Sequence, residues 1–185
     1  MRITFYLISS SVFGKFALVW QDSDTGPRLR RVFLTDGKTH IETRIQKQFP
    51  GAYLSSASAV RMISEKIQQF LAGEPVKFDL KDIALEWCSS FQVSVLKAES
   101  QIPRDWVSTY GRIAHKLGLS SGARAVGGAL ARNPFPIIIP CHRAIRSNGE
   151  LGGYQGGVDM KRTLLEYEGI EFSKTGLVVM NSVFY

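Results

Sequence analysis

The segment that most restricts how this chain can fold is NPFPIIIPCHR, at residues 133–143. Prolines at positions 134, 136 and 140 fix three φ angles and exclude a regular helix. The isoleucines at 137–139 are suited to anchor the segment in a core. Cys141 is therefore expected on a stiff, well-supported loop with His142 beside it, which is how a nucleophile is held in place.

A cysteine in this position needs help to react, because a free thiol is mostly protonated at neutral pH. His142 and Arg143 could raise the thiolate fraction. Adjacent side chains of an extended chain point to opposite faces, so His142 must reach the sulfur through a turn or a water. A carboxylate should then orient the histidine, and the downstream candidates are Glu150, Asp159, Glu166 and Glu168. A buried, inert cysteine beside a surface histidine is the alternative.

Basic residues are concentrated in the same region of the chain. The net charge is +7, and residues 104–146 hold seven Lys and Arg against one acid, Asp105. The excess indicates either a solvated basic face or a polyanion partner. The N-terminus lacks the features of a signal peptide, no apolar run is long enough to span a bilayer, and the cysteines and histidines lack zinc-ligand spacing. We therefore expect a protein of the cytoplasm, or of the nucleus in a eukaryote, without membrane, metal or cofactor.

Residues 1–80 are predicted to form a small α/β domain. Strand-like runs occur at 3–7, 16–20 and 31–34, and apolar residues recur at helical spacing from Ser58 until Gly73 ends the run. A connecting segment to about residue 83 and a helix over 86–99 follow. Residues 81–171 are expected to form a mainly helical domain, and residues 172–185 a tail.

Two short helices in the second domain have the pattern of a helix-turn-helix. Ser108 or Thr109 can cap a helix that runs through Leu117, and Ser120 or Ser121 can cap a second over 123–131. The second helix is rich in alanine and glycine, with Arg124 as its one long side chain. Such a smooth helix suits close approach to a DNA backbone or the minor groove, whereas tight helix packing is the alternative. The glycine-rich stretch 149–157 indicates either a backbone wall close to a ligand or a flexible surface loop.

These residues together resemble the methylated-DNA–protein-cysteine S-methyltransferases, the alkylguanine-DNA alkyltransferase family. The resemblance covers about residues 91–169 and lies in VSTYGRIA (107–114), ARAVGGAL (123–130), NPFPIIIPCHR (133–143), GGYQGG (152–157) and KRTLLEYEG (161–169). It implies an α/β fold class with two domains: a β-sheet with a helix, then a winged-helix-like domain with the helix-turn-helix. The valine usual after PCHR is replaced by Ala144.

The resemblance also implies a role for each matching residue. Cys141 would accept the alkyl group, His142 would take its proton through a water with Glu168 behind that water, and Tyr110 would help neutralise the departing guanine. Substrate contacts are expected from Asn133, Ala144, Tyr154 and Gln155. DNA contacts are expected from Tyr110, Gly111, Ala123, Arg124, Gly127 and Ser147, with Arg124 filling the place of the flipped nucleotide.

The function predicted is direct, single-turnover repair of guanine alkylated at its 6-oxygen, and of thymine alkylated at its 4-oxygen, in double-stranded DNA bound by a monomer through the minor groove. A non-catalytic alkylated-base-binding protein would lack the cysteine. A helix-turn-helix regulator would not need PCHR or Glu168, and a cysteine hydrolase would turn over repeatedly.

Overall fold

The computed structural model describes residues 3–185, which form two compact units. The first unit holds the described residues up to Trp87 together with Pro134–Ile138, and the second holds Cys88–Asn133 and Ile139–Tyr185. The division therefore falls after Trp87 and not near residue 80. The segment expected as a separate tail, 172–185, is part of the second unit. The two-domain α/β fold predicted from the sequence is confirmed.

The first unit is built on a four-stranded sheet of order β3-β2-β1-β4. The three longer strands are antiparallel neighbours, whereas β4 runs parallel to β1. They span Thr4–Ser11 (β1), Gly14–Ser23 (β2), Gly26–Leu34 (β3) and Tyr53–Leu54 (β4). Helices α1 (Ile41–Gln48) and α2 (Ser58–Leu71) belong to the same unit, followed by 3-10 turns at Leu80–Asp82 and Leu85–Trp87. The predicted strand runs and α2 are present, and α1 was not predicted.

Pro134–Ile138 belongs to this first unit. The backbone N–H of Val32 in β3 donates to the Pro134 carbonyl over 2.8 Å, and the side chains of Phe135, Ile137 and Ile138 are buried. Ile137 has a φ of 75°, which is unusual for a β-branched residue. The apolar anchoring expected for this segment is therefore present, and its backbone is strained next to the reactive loop.

The second unit is mainly helical. Its helices are α3 (Ser90–Glu99), α4 (Tyr110–Lys116), α5 (Ala123–Ala131) and α6 (Val158–Tyr167). Two short parallel strands, β5 (Ser108–Thr109) and β6 (Ala144–Ile145), pair beside them. A 3-10 turn at Cys141–Arg143 leads directly into β6. This arrangement places the helix-turn-helix and the reactive cysteine in one packed unit.

Three helix starts can be compared with the sequence predictions. Thr109 caps α4 as predicted, because its side chain accepts a hydrogen bond from the Arg112 N–H. The helix expected from residue 86 begins only at Ser90, because Ser89 caps it. The prediction that Ser120 or Ser121 caps α5 is wrong. Gly122 is the N-cap, where a Cβ would lie 2.7 Å from the Leu119 Cβ, so that the tight turn needs a glycine.

Candidate active site

Cys141 opens the 3-10 turn and lines a cavity. Its backbone N–H donates to the Ile139 carbonyl over 2.7 Å, and its side chain is 6% exposed. The cavity has a volume of about 240 Å³ and is lined by Tyr110, Gly127, Leu130, Ala131, Cys141, Gly153, Tyr154 and Gln155. The residues come from α4, α5, the reactive turn and the glycine-rich stretch. The only thiol of the lining is thus presented to a small, partly open cavity.

The turn directs the next two side chains toward the end of α6. His142 Nε2 lies 3.1 Å from Glu168 Oε1, and both side chains are buried. Arg143 donates to both carboxylate oxygens of Glu168, over 2.8 and 2.6 Å, and to the Ile102 carbonyl over 2.6 Å. Of the four candidate carboxylates, the structure therefore brings Glu168 to the histidine. The contact between His142 and Glu168 is direct, and the water that the resemblance implies would lie on the path of the proton from Cys141 to His142.

The other candidate carboxylates lie elsewhere. Glu150 pairs with Arg146 and Glu166 with Arg162, both at the surface. Asp159 lies in the first turn of α6, at the opposite end of that helix from Glu168.

The charges of this group follow from its surroundings. Burial alone would raise the pKa of Glu168, but the neighbouring His142 and Arg143 outweigh it and lower that pKa to about 2. Burial lowers the pKa of His142, with Glu168 opposing the shift. With both pKa values lowered, Glu168 is ionised and the imidazole of His142 is neutral at neutral pH. A neutral imidazole can accept a proton.

Cys141 itself is held as a thiol. Burial raises its pKa to about 12, although a hydrogen bond from the Asn133 side chain opposes the shift. The raised thiolate fraction expected from His142 and Arg143 is therefore not found at rest, because desolvation outweighs the groups that favour the thiolate. The proton must leave during the reaction, which requires a base.

Asn133 joins the end of α5 to the reactive loop. Its backbone N–H donates to the Leu130 carbonyl, and its side-chain amide donates to the Ile139 carbonyl over 3.2 Å. The Gln155 side chain donates to the Asn133 carbonyl over 2.5 Å. Asn133 is fully buried and connects α5 to the loop, whereas Gln155 both lines the cavity and contacts Asn133.

Tyr110 closes the cavity from the side of α4. At Gly152, where φ is 70°, a Cβ would lie 2.8 Å from the Tyr110 hydroxyl, so only glycine lets the tyrosine approach. Burial is the main reason that the pKa of Tyr110 is raised to about 12, so the phenol keeps its proton as a hydrogen-bond donor. Tyr154 lies across the cavity, with its ring centroid 6.3 Å from that of His142.

All six predicted DNA contacts line a second, more open groove of about 480 Å³. Tyr110 and Gly127 line both this groove and the cavity of Cys141. Arg124 is exposed on α5. The groove is lined by Tyr110, Gly111, Ala123, Arg124, Gly127, Arg146, Ser147 and Asn148.

Ala144 is placed differently from the expectation. It is fully buried in β6, where it pairs with Ser108, and it is absent from the described lining of the cavity. Its carbonyl accepts a hydrogen bond from Lys161 over 2.6 Å. Any effect of Ala144 on the substrate would be indirect.

Two buried charged residues of the second unit were not singled out from the sequence. Lys161 and Glu99 are both fully buried. The sequence carried a signal for both, because each residue continues the apolar face of its helix. Lys161 lies three and four residues before Leu164 and Leu165. Glu99 lies three residues after Leu96. A charged residue on such a stripe indicates a buried ion or acid.

Within residues 3–185 no three or more His, Cys, Asp and Glu side chains gather as a metal-binding group would require. Over the same residues, no helix combines the length and the apolar character needed to cross a membrane.

Comparison with known proteins places this site in a family. Residues 90–170 match the family model described as 6-O-methylguanine DNA methyltransferase, DNA binding domain. A methylated-DNA–protein-cysteine methyltransferase of Methanosarcina acetivorans is 38% identical over 165 residues, which cover 89% of this chain and 98% of that protein. One of Methanothermobacter thermautotrophicus is 47% identical over 63% of this chain and 65% of its own length.

Solved structures agree with these relatives. The Mycobacterium tuberculosis O6-methylguanine methyltransferase is 32% identical, with a TM-score of 0.71 over 90% of this chain and 93% of that one. The Mycobacterium tuberculosis OGT in complex with DNA is 31% identical, with a TM-score of 0.69 over 89% and 92% of the two chains. These matches show that the chain belongs to the methylated-DNA–protein-cysteine methyltransferase family.

Proposed function

We propose that this protein repairs DNA by transferring the alkyl group on the 6-oxygen of guanine to Sγ of Cys141. The observation that carries the proposal is that the cavity of Cys141 and the groove of Arg124 share Tyr110 and Gly127. A nucleotide flipped out of DNA lying in the groove would pass these two residues and reach the thiol. The relatives are named for this activity, and one structural neighbour was solved with DNA.

The transfer is a displacement at a saturated carbon. Sγ of Cys141 forms a bond to the alkyl carbon while the bond from that carbon to the guanine oxygen breaks. The thiol proton passes to the neutral imidazole of His142, directly or through a water, and Glu168 and Arg143 compensate the imidazolium that results. The guanine anion that forms takes up one proton from solvent or through the phenol of Tyr110 and leaves as a neutral base. The imidazolium then gives up the proton that it received from the thiol, so the protons lost and gained balance. Tyr110, as a protonated phenol, is placed to donate a hydrogen bond to the departing base.

The product is a thioether. The cavity is lined by phenols, an amide and backbone groups, and none of these can cleave the carbon–sulfur bond of a thioether under mild conditions. Each molecule would therefore act once. The same geometry would admit an alkyl group on the 4-oxygen of thymine, because that oxygen is also an exocyclic base atom on a ring that can be flipped into the cavity.

DNA would be held by α5 through the minor groove. The groove-facing residues Ala123 and Gly127 are small, so a backbone can approach closely. Arg124 is the long side chain available to occupy the place of the flipped nucleotide. A protein of this kind needs no second subunit at its site, and we propose that it acts as a monomer.

The competing functions fit less well. A non-catalytic alkylated-base-binding protein has no use for a cysteine supported by Asn133, His142 and Glu168. A helix-turn-helix regulator needs several side chains that read base edges, and α5 carries mostly alanine and glycine. A cysteine hydrolase would need a water activated against an acyl intermediate and would turn over repeatedly.

The decisive experiment weighs the intact protein after incubation with an oligonucleotide that contains O6-methylguanine. We expect a mass gain of one methyl group per molecule, mapped to Cys141, and none after a second addition of substrate. Cys141→Ser should show no gain while still binding the duplex, and Cys88→Ser should behave as the unmodified protein. A methyl group on Cys88, or more than one turnover per molecule, would contradict the proposal.

A further inference from the structure

Glu99, the last residue of α3, is a buried carboxyl group outside the reaction described so far. Its side chain is completely buried, and neither carboxyl oxygen has a hydrogen-bond partner among residues 3–185. An ionised carboxylate in such surroundings is strongly disfavoured, whereas the neutral acid is tolerated far better. The geometry therefore favours Glu99 as the protonated acid.

Lys161, on α6, is the cation whose charge acts most strongly on this acid. Its Nζ donates to the carbonyls of Ala144 and Leu151, over 2.6 Å each, and lies 6.0 Å from the ring centroid of Tyr110. Two buried carbonyls as acceptors favour the ammonium over the neutral amine. The bonds also fix the chain directly after the reactive turn and at the start of the glycine-rich stretch. Lys161 thus places a positive charge against the cavity.

The groups that act on Glu99 come from four further parts of the unit. Burial is the largest cause of its shift and raises the pKa of Glu99 to about 8, with Lys161 and Arg143 opposing. Burial likewise lowers the pKa of Lys161 to about 8, while Cys141 and Glu99 oppose that shift, so Lys161 is a cation at neutral pH and loses its charge over the range in which Glu99 ionises. The titratable and charged groups coupled to Glu99 are Lys161 on α6, Arg143 and Cys141 in the reactive turn, Tyr110 on α4 and Tyr185 in the last segment.

We propose that the ionisation of Glu99 controls how readily Cys141 loses its proton in the alkyl transfer. As the neutral acid, Glu99 leaves the positive charge of Lys161 to favour loss of that proton. As a carboxylate, it adds a buried negative charge that holds the thiol proton more firmly and outweighs Lys161. This inference rests on the proposed function, because its consequence is that the rate of alkyl transfer falls at alkaline pH as Glu99 ionises.

The test compares the unmodified protein with Glu99→Gln, which imitates the neutral acid in shape, and with Glu171→Gln, an exposed glutamate of the same unit, as the control. The first readout is alkylation of Cys141 by iodoacetamide, followed by peptide mapping across pH. We expect equal rates near about pH 6.5. Near about pH 9 we expect Glu99→Gln to react roughly 3- to 10-fold faster than the other two, because one pKa unit is a tenfold change in thiolate.

The second readout is the infrared carbonyl band of a protonated carboxylic acid at neutral pH. This band should disappear in Glu99→Gln and, in the unmodified protein, fade over the same pH range in which the rates diverge. Should Glu99→Gln fail to fold, Glu99→Leu suits the apolar surroundings and also removes the acid. Iodoacetamide rates that stay together up to about pH 9, or an ionised Glu99 at neutral pH, would overturn the proposal.

Neither readout needs DNA, so the two proposals can fail separately. Absence of methyl transfer from DNA with a normal iodoacetamide profile would count against the proposed function alone. Normal methyl transfer with unchanged profiles in Glu99→Gln would count against Glu99 alone.

Discussion

Arg143 holds Glu168 at two points, with its Nε 2.8 Å from Oε2 and its Nη2 2.6 Å from Oε1. Such a two-point pair fixes the carboxylate in both position and orientation. The Oε1 atom that accepts from Arg143 is also the atom nearest to His142. Arg143 therefore fixes the position of the Glu168 carboxylate, and that carboxylate orients His142.

Replacing either member of the His142–Glu168 pair should slow the transfer of the alkyl group. We expect Glu168→Gln and His142→Gln to lower the single-turnover rate by about 10²–10⁴, the usual effect of a positioned acid or base. The optimum should also move to higher pH, because the thiol must then lose its proton without the base. Rapid-quench measurement on a methylated duplex checks this, with Glu171→Gln as the control. A full-speed Glu168→Gln would assign the role to another carboxylate.

The same carboxylate should contribute to stability in a pH-dependent way. Its pKa is lowered from an ordinary value of 4.5 to about 2 in the folded protein. A depressed pKa stabilises the folded state above the unfolded value, and the contribution is lost as pH falls through the folded value. The contribution near neutral pH is of the order of 3 kcal/mol.

Urea unfolding across pH checks this linkage. The free energy of unfolding of the unmodified protein should exceed that of Glu168→Gln by the largest amount above about pH 5, and the two should converge toward about pH 2. A difference that is constant over this range would mean that the variant loses packing and not a charge interaction.

Arg124 should matter for duplex substrates in particular. Arg124→Ala is expected to slow repair of a methylated duplex far more than dealkylation of the free modified base, because only the duplex must be held open. Arg61→Ala, on the exposed face of α2, removes the same charge from the other unit and is the control. Equal slowing on both substrates would show that Arg124 supports the cavity itself.

Salt dependence separates the remaining basic residues from Arg124. Residues that contact phosphates should each contribute about −0.9 to the slope of log affinity against log salt. Fluorescence titration of the duplex with Arg146→Ala, whose side chain lines the groove, should therefore give a shallower slope than the unmodified protein. An unchanged slope would exclude a phosphate contact by Arg146.

The alkylated protein should be less stable than the resting one. The Asn133 side chain donates to the sulfur of Cys141, and a thioether is a weaker and larger acceptor. The lost hydrogen bond and the added carbon should together cost about 1–2 kcal/mol. The sulfur faces a cavity, which keeps the cost of the added carbon small. A loss of this size should lower the melting temperature by about 2–8 °C. Calorimetry of one preparation before and after methylation measures it, and an unchanged or raised midpoint would contradict the prediction.

Much of the site could be predicted because its chemistry is local in the chain. The prolines around Cys141, the two helices of the helix-turn-helix and the Thr109 cap are all set by residues close in sequence. The pairing of His142 with Glu168 joins positions 26 residues apart, and it was implied by the resemblance but left open among four carboxylates by the residues alone.

The rest depended on burial, which a single sequence does not give directly. The thiol of Cys141 stays protonated because desolvation outweighs its cationic neighbours, and the position of Ala144 in β6 depends on pairing with the distant Ser108. The division of the chain was also hidden, since Pro134–Ile138 joins a unit whose other described residues end at Trp87. Lys161 and Glu99 carried a signal in their helical spacing, but their roles needed the three-dimensional neighbours.

The alanines and glycines of α5 have a consequence for how such a protein would search a genome. If Arg124, the one long side chain of α5 in the groove, fills the place of the flipped nucleotide, no other side chain of the helix is left to recognise base edges. Such a protein would bind every sequence context alike and would find damage by testing many sites along the DNA. If each molecule also acts only once, the capacity for repair equals the number of copies in the cell. The cell would then match damage by synthesising more protein, and a faster catalyst would not help it.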